Sequence, residues 1–265
     1  MRPVALITGA SAGIGAELAR VFAARGHEIV LVARRADRLN GLADQIAAGG
    51  KSRPIVLSID LEKRDAVSSL AAELTARGVE PGIVVNNAGF GLLGRAETLG
   101  REEQLAMIDL NIRALTELTL AFVDSLGRHR GGILNVASVA AFMPGPGMAV
   151  YYASKAYVLS FSEALHQELS PRGISVTALC PGPVPTEFQA RAGLSGDRMS
   201  GVLTLSAERV AQIGYDGFKR RRRVVVAGTG NQIGVLLLQL MPHSWLLPLL
   251  DWGMRQAATR SQRRA

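Results

Sequence analysis

Cysteine is almost missing from this chain of 265 residues: Cys180 stands alone. One thiol excludes an intramolecular disulfide framework and any zinc or iron–sulfur site built from cysteines. Histidine is nearly as scarce. His27, His129, His166 and His243 are scattered without ligand spacing, so no metal is expected. Aromatic residues make up only 5% of the chain, which disfavours the stacking platforms of single-strand binders. No recognised nucleic-acid reading module accompanies the arginines, and no nucleic-acid partner is expected. Low-complexity segments and repeats are absent, and 48% hydrophobic content argues against a disordered chain. Nothing at the start reads as a secretory leader: Met1-Arg2-Pro3 runs straight into the short apolar segment Val4–Ile7. That segment is too short for a leader's apolar core, so a cytoplasmic location is the default expectation.

Acidic residues are outnumbered, 22 Asp+Glu against 30 Lys+Arg, for a net charge of +8. The balance favours an anionic cofactor and permits an acidic protein or an anionic surface as partner, without choosing among them. The excess gathers in Lys219-Arg220-Arg221-Arg222-Arg223 and in Arg255, Arg260, Arg263 and Arg264. Between them, residues 224–250 carry no formal charge. Gly228, Gly230, Asn231, Gln232 and Pro242 interrupt this stretch. The remaining pieces, Ile233–Met241 and Trp245–Leu250, fall short of the roughly 20 residues a spanning helix needs. They read as a lid or packing helix, or as a peripheral membrane contact through residues 233–252. Two tryptophans with flanking arginines suit a headgroup boundary.

What is present is a strict alternation. Short, continuous apolar runs at Val4–Ile7, Glu28–Ala33, Pro54–Ile59, Gly82–Val85, Gly132–Ala137, Ile174–Leu179 and Arg223–Ala227 read as seven strands buried on both faces. Between them lie amphipathic stretches: Gly13–Arg25, Arg35–Ala48, Glu62–Arg77, the long Arg101–Gly127, Tyr151–Ser170, and Ser206–Phe218 with Ser206 as N-cap. The alternation implies a doubly wound, seven-stranded parallel sheet in a three-layer α/β/α fold of Rossmann type. One domain is expected over residues 1–227, with a hydrophobic and basic helical extension over 228–265 packed on it.

The loop Thr8-Gly9-Ala10-Ser11-Ala12-Gly13-Ile14-Gly15 joins the first strand to the first helix. Gly9 permits a sharp turn, Gly13 lets backbone approach a pyrophosphate at the helix N-terminus, and Gly15 permits close packing. Arg34 and Arg35 follow strand two, where an acidic residue would read a ribose 2′-hydroxyl. Two arginines instead suit a 2′-phosphate, hence NADP(H). Asp60-Leu61 ends strand three at the adenine wall, where Asp60 either accepts from the adenine amine or caps the next helix. Tyr151 and Lys155 are four apart on a helix and share a face. A lysine charge near a phenol contributes about 4 kcal/mol at an effective dielectric of about 20, which would draw the tyrosine toward neutrality for acid–base work. Tyr152 is expected to face elsewhere. Cys180 reads as a small buried hydrophobe.

Thr8–Gly15, Asn86-Asn87-Ala88-Gly89, Asn111, Ser138, Tyr151-x3-Lys155 and Pro181-Gly182 occur in that order. In this combination the chain resembles the short-chain dehydrogenase/reductase family over residues 1 to about 227. The resemblance implies hydride transfer between NADP(H) and a carbonyl or secondary alcohol. It implies Tyr151 as general acid/base, Ser138 as polariser of the substrate oxygen, and Lys155 as holder of the nicotinamide ribose. It also implies that Asn111 supports a water that relays protons through Lys155. The cofactor contacts implied by motif and position are Gly9, Ser11, Gly13, Ile14, Gly15, Arg34, Arg35, Asp60, Leu61, Asn87, Ala88, Gly89, Tyr151, Lys155, Pro181, Gly182, Val184 and Thr186. A substrate loop over Glu187–Leu205, carrying Phe188, Leu194, Met199, Val202, Leu203 and Leu205, and an approach over 142–148 suggest an apolar substrate. Two rivals remain: a 3-oxoacyl carrier-protein reductase that docks an acidic carrier on the basic excess, and an NADP-binding membrane-surface interaction protein. Family members often form dimers or tetramers through the long helices Arg101–Gly127 and Tyr151–Ser170.

Overall fold

A computed structural model of the chain describes residues 1–192, 203–242, 244–248 and 250–251. Seven strands form one parallel sheet: β1 (Arg2–Thr8), β2 (Ile29–Ala33), β3 (Ile55–Ser58), β4 (Val79–Asn86), β5 (Gly132–Val136), β6 (Ser175–Cys180) and β7 (Val224–Val226). The spatial order is β3-β2-β1-β4-β5-β6-β7, every pair parallel. The chain thus starts in the middle and winds outward both ways, as the alternation implied. The reversal of strand order between β1 and β4 opens a crevice at the carboxyl ends of the strands.

The continuous apolar runs have a period-two logic once the sheet is closed on both sides. Ile7, Leu31, Val85 and Leu134 face one layer, α1 (Gly13–Ala24), α2 (Ala36–Ala48) and, later in the chain, the helix over Ala207–Lys219. Their neighbours Leu6, Val30, Val84 and Ile133 face the other, α3 (Ala66–Ala76) and the helices from Arg101 to Leu169. Each strand therefore feeds two cores with alternate residues.

Several helices differ from the sequence expectation. Helix α3 begins at Ala66 rather than Glu62, because residues 60–65 form a separate turn in which Asp60 Oδ1 accepts from the Glu62 amide at 3.2 Å. Asp60 therefore caps that turn and not the helix. The stretch Arg101–Gly127 is not one α-helix. It runs as α4 (Arg101–Ile108), a π-helical turn (Asp109–Ala114), α5 (Leu115–Ala121) and α6 (Val123–Arg128), with a break at Phe122. The wider π turn is centred on Asn111, whose side chain is drawn to the loop after β4; such bulges often sit at functional sites. Helix α7 (Ala149–Leu169) carries Tyr151 and Lys155. Glu187 to Ala192, expected as loop, form the short helix α8, and α9 (Ala207–Lys219) starts as expected, Ser206 accepting from the Arg209 amide at 3.1 Å. After β7 comes α10 (Thr229–Leu240), longer at its start than the expected Ile233–Met241, and then a helical turn over 244–248. Among the described residues no helix is long and apolar enough to cross a membrane.

Candidate active site

The loops at the carboxyl ends of β1, β2, β4, β5 and β6 enclose a cavity of about 570 Å³. Its β1 wall is set by backbone conformation. Gly9 and Gly13 have φ of +64° and +55°, which L side chains rarely adopt. A Cβ on Gly13 would sit 3.0 Å from Thr186 Cγ2, across the cleft. Gly15 lies behind, and a Cβ there would meet the Gly9 carbonyl oxygen at 2.3 Å. Helix α1 has no side-chain cap and no acidic residue in its first turn, so its N-terminal amides and dipole are open to an anion. Thr8 ties the two central loops together. Its hydroxyl donates to the Val85 carbonyl at 3.2 Å and accepts from the Asn87 and Ala88 amides, each at 3.0 Å. The Asn87 amide group closes the same junction by donating to the Thr8 carbonyl at 2.9 Å.

The far end of this wall is cationic. Arg34 pairs with Glu62 at 3.1 Å, and Arg35 pairs with Glu187 of α8 at 2.8 Å while also donating to Ser11 Oγ at 3.1 Å. Both guanidinium groups are about half exposed on the cavity. The donor set and the glycine cradle fit a pyrophosphate beside α1 and an additional phosphate at the arginines.

At the other end Ser138, Tyr151 and Lys155 line the same cavity. Lys155 is buried, and its Nζ donates to the Val136 carbonyl at 2.8 Å. Burial brings its pKa down to about 8. Burial pushes the Tyr151 phenol up to about 12, with a hydrogen bond to Ser138 pulling partly the other way. This corrects the expectation that Lys155 draws the phenol toward neutrality. The lysine charge is itself desolvated, its nitrogen lies 5.9 Å from the centre of the Tyr151 ring, and desolvation outweighs the attraction.

Asn111 is buried and takes no part in lining the cavity. Its Oδ1 accepts from the Phe90 amide at 3.1 Å, and its Nδ2 donates to the Phe90 carbonyl at 2.9 Å and to Ser154 Oγ at 3.0 Å. All its side-chain polar atoms are engaged, so the side chain anchors the β4 loop. Oδ1 accepts one hydrogen bond and keeps a second lone pair, so the water support that the resemblance implies for Asn111 stays open. Gly89 allows the arrangement, since a Cβ would approach Asn111 Oδ1 to 2.8 Å.

Apart from Gly15, which packs behind the loop, every other residue expected at the site lines the cavity: Gly9, Ser11, Gly13, Ile14, Arg34, Arg35, Asp60, Leu61, Asn87, Ala88, Gly89, Pro181, Gly182, Val184 and Thr186 join Ser138, Tyr151 and Lys155. Tyr152, expected to face elsewhere, is also there. One residue is about 100° around a helix, which still leaves it on the cavity arc. Its ring lies over Gly145, where a Cβ would come within 2.4 Å of ring carbons. Of the expected approach over 142–148, only Met148 lines the cavity. Phe188 of α8 closes the mouth, its ring centre 5.4 Å from that of Tyr151. Leu194, Met199 and Val202 lie outside the described residues. Gln189 was missed. Its Oε1 accepts from the Thr186 amide at 2.7 Å and its Nε2 donates to the Val184 carbonyl, fixing the β6 loop. No local motif marks a glutamine for that role. Cys180 is buried, and burial raises its thiol to about 12.

Comparison with known proteins gives concordant matches. A family model described as short chain dehydrogenase matches residues 3–195. Sulfoacetaldehyde reductase 2 of Chromohalobacter salexigens is 38% identical over 191 residues, covering 71% of this chain and 75% of the relative. A short-chain dehydrogenase from Sphingobium yanoikuyae, solved in complex with NADPH, is 36% identical with a TM-score of 0.79, covering 88% of this chain and 92% of that one. The bulky-bulky ketone specific alcohol dehydrogenase from Comamonas testosteroni is 30% identical with a TM-score of 0.75, covering 91% of this chain and 95% of that one.

Proposed function

Because the chain belongs to the short-chain dehydrogenase/reductase family, we propose that its oxidoreductase chemistry runs at Ser138, Tyr151 and Lys155 on an apolar ketone or secondary alcohol. The enzyme acts on the alcohol/carbonyl pair and uses NADP(H). The reading rests on one arrangement: a single cavity has a glycine-built anion cradle and two arginines at one end and a tyrosine, a serine and a lysine at the other. NADP(H), when bound, supplies or accepts the hydride. The N-terminus of α1 would hold its pyrophosphate, Arg34 and Arg35 its 2′-phosphate, and Lys155 its nicotinamide ribose.

Tyr151 is protonated at neutral pH, with its pKa near 12. It therefore stands ready as the acid that protonates the carbonyl oxygen during reduction. Ser138 donates to the same oxygen and stabilises charge developing there. Lys155, titrating near 8, is mostly charged at neutral pH and favours the phenolate left behind. For oxidation the roles reverse, and the phenol must first lose its proton.

Support for an apolar substrate comes from Phe188 and Met148 at the mouth and from the specificity of the Comamonas relative for bulky ketones. The carrier-protein alternative gains nothing from the run Lys219–Arg223. It precedes the amino end of β7, whereas the cavity opens at the carboxyl ends. Assembly as a dimer or tetramer through the helices between Arg101 and Leu169 is part of the proposal, supported by exposed Leu105 and Leu120. The proposal also makes residues 228–265 an extension of the single domain of residues 1–227.

The test is NADPH oxidation by purified protein against ketones of graded apolar size, with NADH in parallel. Turnover that rises with size and needs NADPH is expected. Tyr151→Phe should lower turnover by about a thousandfold and leave NADPH affinity unchanged; a Phe variant that turns over normally removes Tyr151 from the mechanism.

A further inference from the structure

The net charge of this chain is confined to its last part. Residues 1–218 hold 21 Lys+Arg and 21 Asp+Glu, whereas residues 219–265 hold nine and one. Four of the nine, Arg255, Arg260, Arg263 and Arg264, fall within the 14 residues after Asp251, which contain no acid. Immediately before them stands α10, and its polarity is inverted. Asn231 and Val235 are its buried residues. Ile233, Leu236, Leu237 and Leu240 are 56, 59, 59 and 74% exposed. Their spacing of three, one and three puts them on one stripe. Trp245, in the following turn, is 74% exposed. Five large apolar side chains thus face outward along 13 residues, a concentration that marks a contact surface.

The inner side of α10 is seated on the rim of the active site. Asn231 Nδ2 donates to the Ala227 carbonyl at 2.7 Å and to the Leu203 carbonyl at 3.1 Å. Its side chain also fills the space above Gly182, where a Cβ would lie 2.4 Å from Asn231 Nδ2. Gly182 lines the cavity. The apolar stripe is therefore rigidly tied to the cavity wall.

We propose that α10 and Trp245 form a docking face for a membrane surface bearing anionic lipid, with the stripe at the boundary between headgroups and acyl chains. The arginines beyond Asp251 supply the attraction to lipid phosphates. Charge complementarity selects this occupant. The 14 residues after Asp251, which follow the stripe in sequence, carry four arginines and no acid, so a second copy offers them like charge where an anionic surface offers opposite charge. Residues 252–265 carry two large apolar side chains, Trp252 and Met254, beside four arginines and two glutamines, against five large apolar side chains in the stripe. The face sets the cavity rim against the bilayer, where an apolar ketone is concentrated. The inference itself does not rest on the substrate reading, and its test measures binding rather than turnover.

The experiment is sedimentation of the full-length protein with phosphatidylcholine vesicles, with and without phosphatidylglycerol. Two variants accompany it, Leu236→Glu with Leu237→Glu, and Gln in place of Arg255, Arg260, Arg263 and Arg264. NADPH affinity is measured for each as a check on folding. Binding to the phosphatidylglycerol vesicles is expected, weakened at least about tenfold by either variant and weakened by high salt. With Trp252→Phe as background, the fluorescence of Trp245 should shift to the blue on binding. Failure to sediment with either vesicle overturns the proposal, as does binding that ignores the glutamate pair. A solution dimer split by that pair, with no vesicle binding, would instead assign the stripe to a second copy.

Discussion

The two flanks of the cavity are built on different principles. On the β1–β2 flank the chain is held by conformations and distances that leave almost no room for other residues. Gly9 and Gly13 have positive φ, Gly15 presses on the Gly9 carbonyl, and Thr8 and Asn87 tie the loops together. On the α8–α10 flank, Gln189 and Asn231 tie the backbone down, while the large apolar side chains Phe188, Ile233, Leu236, Leu237 and Leu240 meet the cavity mouth or face outward. One flank is specified by backbone geometry and so tolerates little substitution. The other is specified by side-chain size, and its residues can be exchanged without touching the fold. Binding a constant cofactor and choosing a particular substrate are thereby separated in one domain.

The sharpest way to break this contrast is at Gly15. Gly15→Val should cost more than about 3 kcal/mol of stability, because the clash is with backbone rather than with a movable side chain, and NADPH binding should vanish. Gly41→Ala in α2, where a Cβ meets nothing within 4 Å, is the matched control and should stabilise by about 0.5–1 kcal/mol. Urea melts of the two variants check this. Next in size, Arg34→Ala combined with Arg35→Ala should weaken NADPH about a hundredfold and NADH hardly at all. Equal losses for the two cofactors would show that the arginines do not read the 2′-phosphate.

A smaller effect is expected at Lys155. Its pKa in the fold, about 8, lies below its ordinary 10.5, so the unfolded chain holds that proton more tightly. Stability is penalised at and below about pH 8 and recovers as pH rises toward 10.5. Lys155→Met should therefore raise stability at pH 7 by about 2 kcal/mol, remove the rise above pH 8, and abolish turnover. In the wild-type enzyme the reduction rate should fall as pH passes about 8 while oxidation gains. The mildest change is Phe188→Ala, which should leave stability and NADPH binding in place. Its expected effect is to move kcat/KM by about tenfold toward bulkier ketones; a loss spread evenly over all ketones would make Phe188 a packing residue only.

The same division explains what the sequence disclosed. The glycine loop is legible because a backbone that must turn tightly and admit an anion has few residue solutions. The seven strands are legible because burial on two faces leaves no room for polar residues. The π turn at Asn111 is invisible in the sequence: it depends on the Phe90 backbone, 21 residues away, and no local pattern carries that information. The place of Tyr152 is not legible, because spacing relative to Lys155 says which residues share a line, not how wide an arc the cavity covers. The Tyr151 pKa is not legible either: a pairwise attraction can be read from spacing, whereas the desolvation opposing it needs the packed surroundings. The stripe on α10 reads equally well as core until the fold shows which side is covered.

The solitary thiol has a practical consequence. Cys180 is sealed in the sheet and holds its proton to about pH 12, so electrophilic probes meet a molecule with no reactive background. A cysteine introduced at Leu237 or Leu120 would be the sole point of attachment. Spin labels, fluorophores or crosslinkers could then be positioned one at a time to report where this surface goes, with no native residue to remove first.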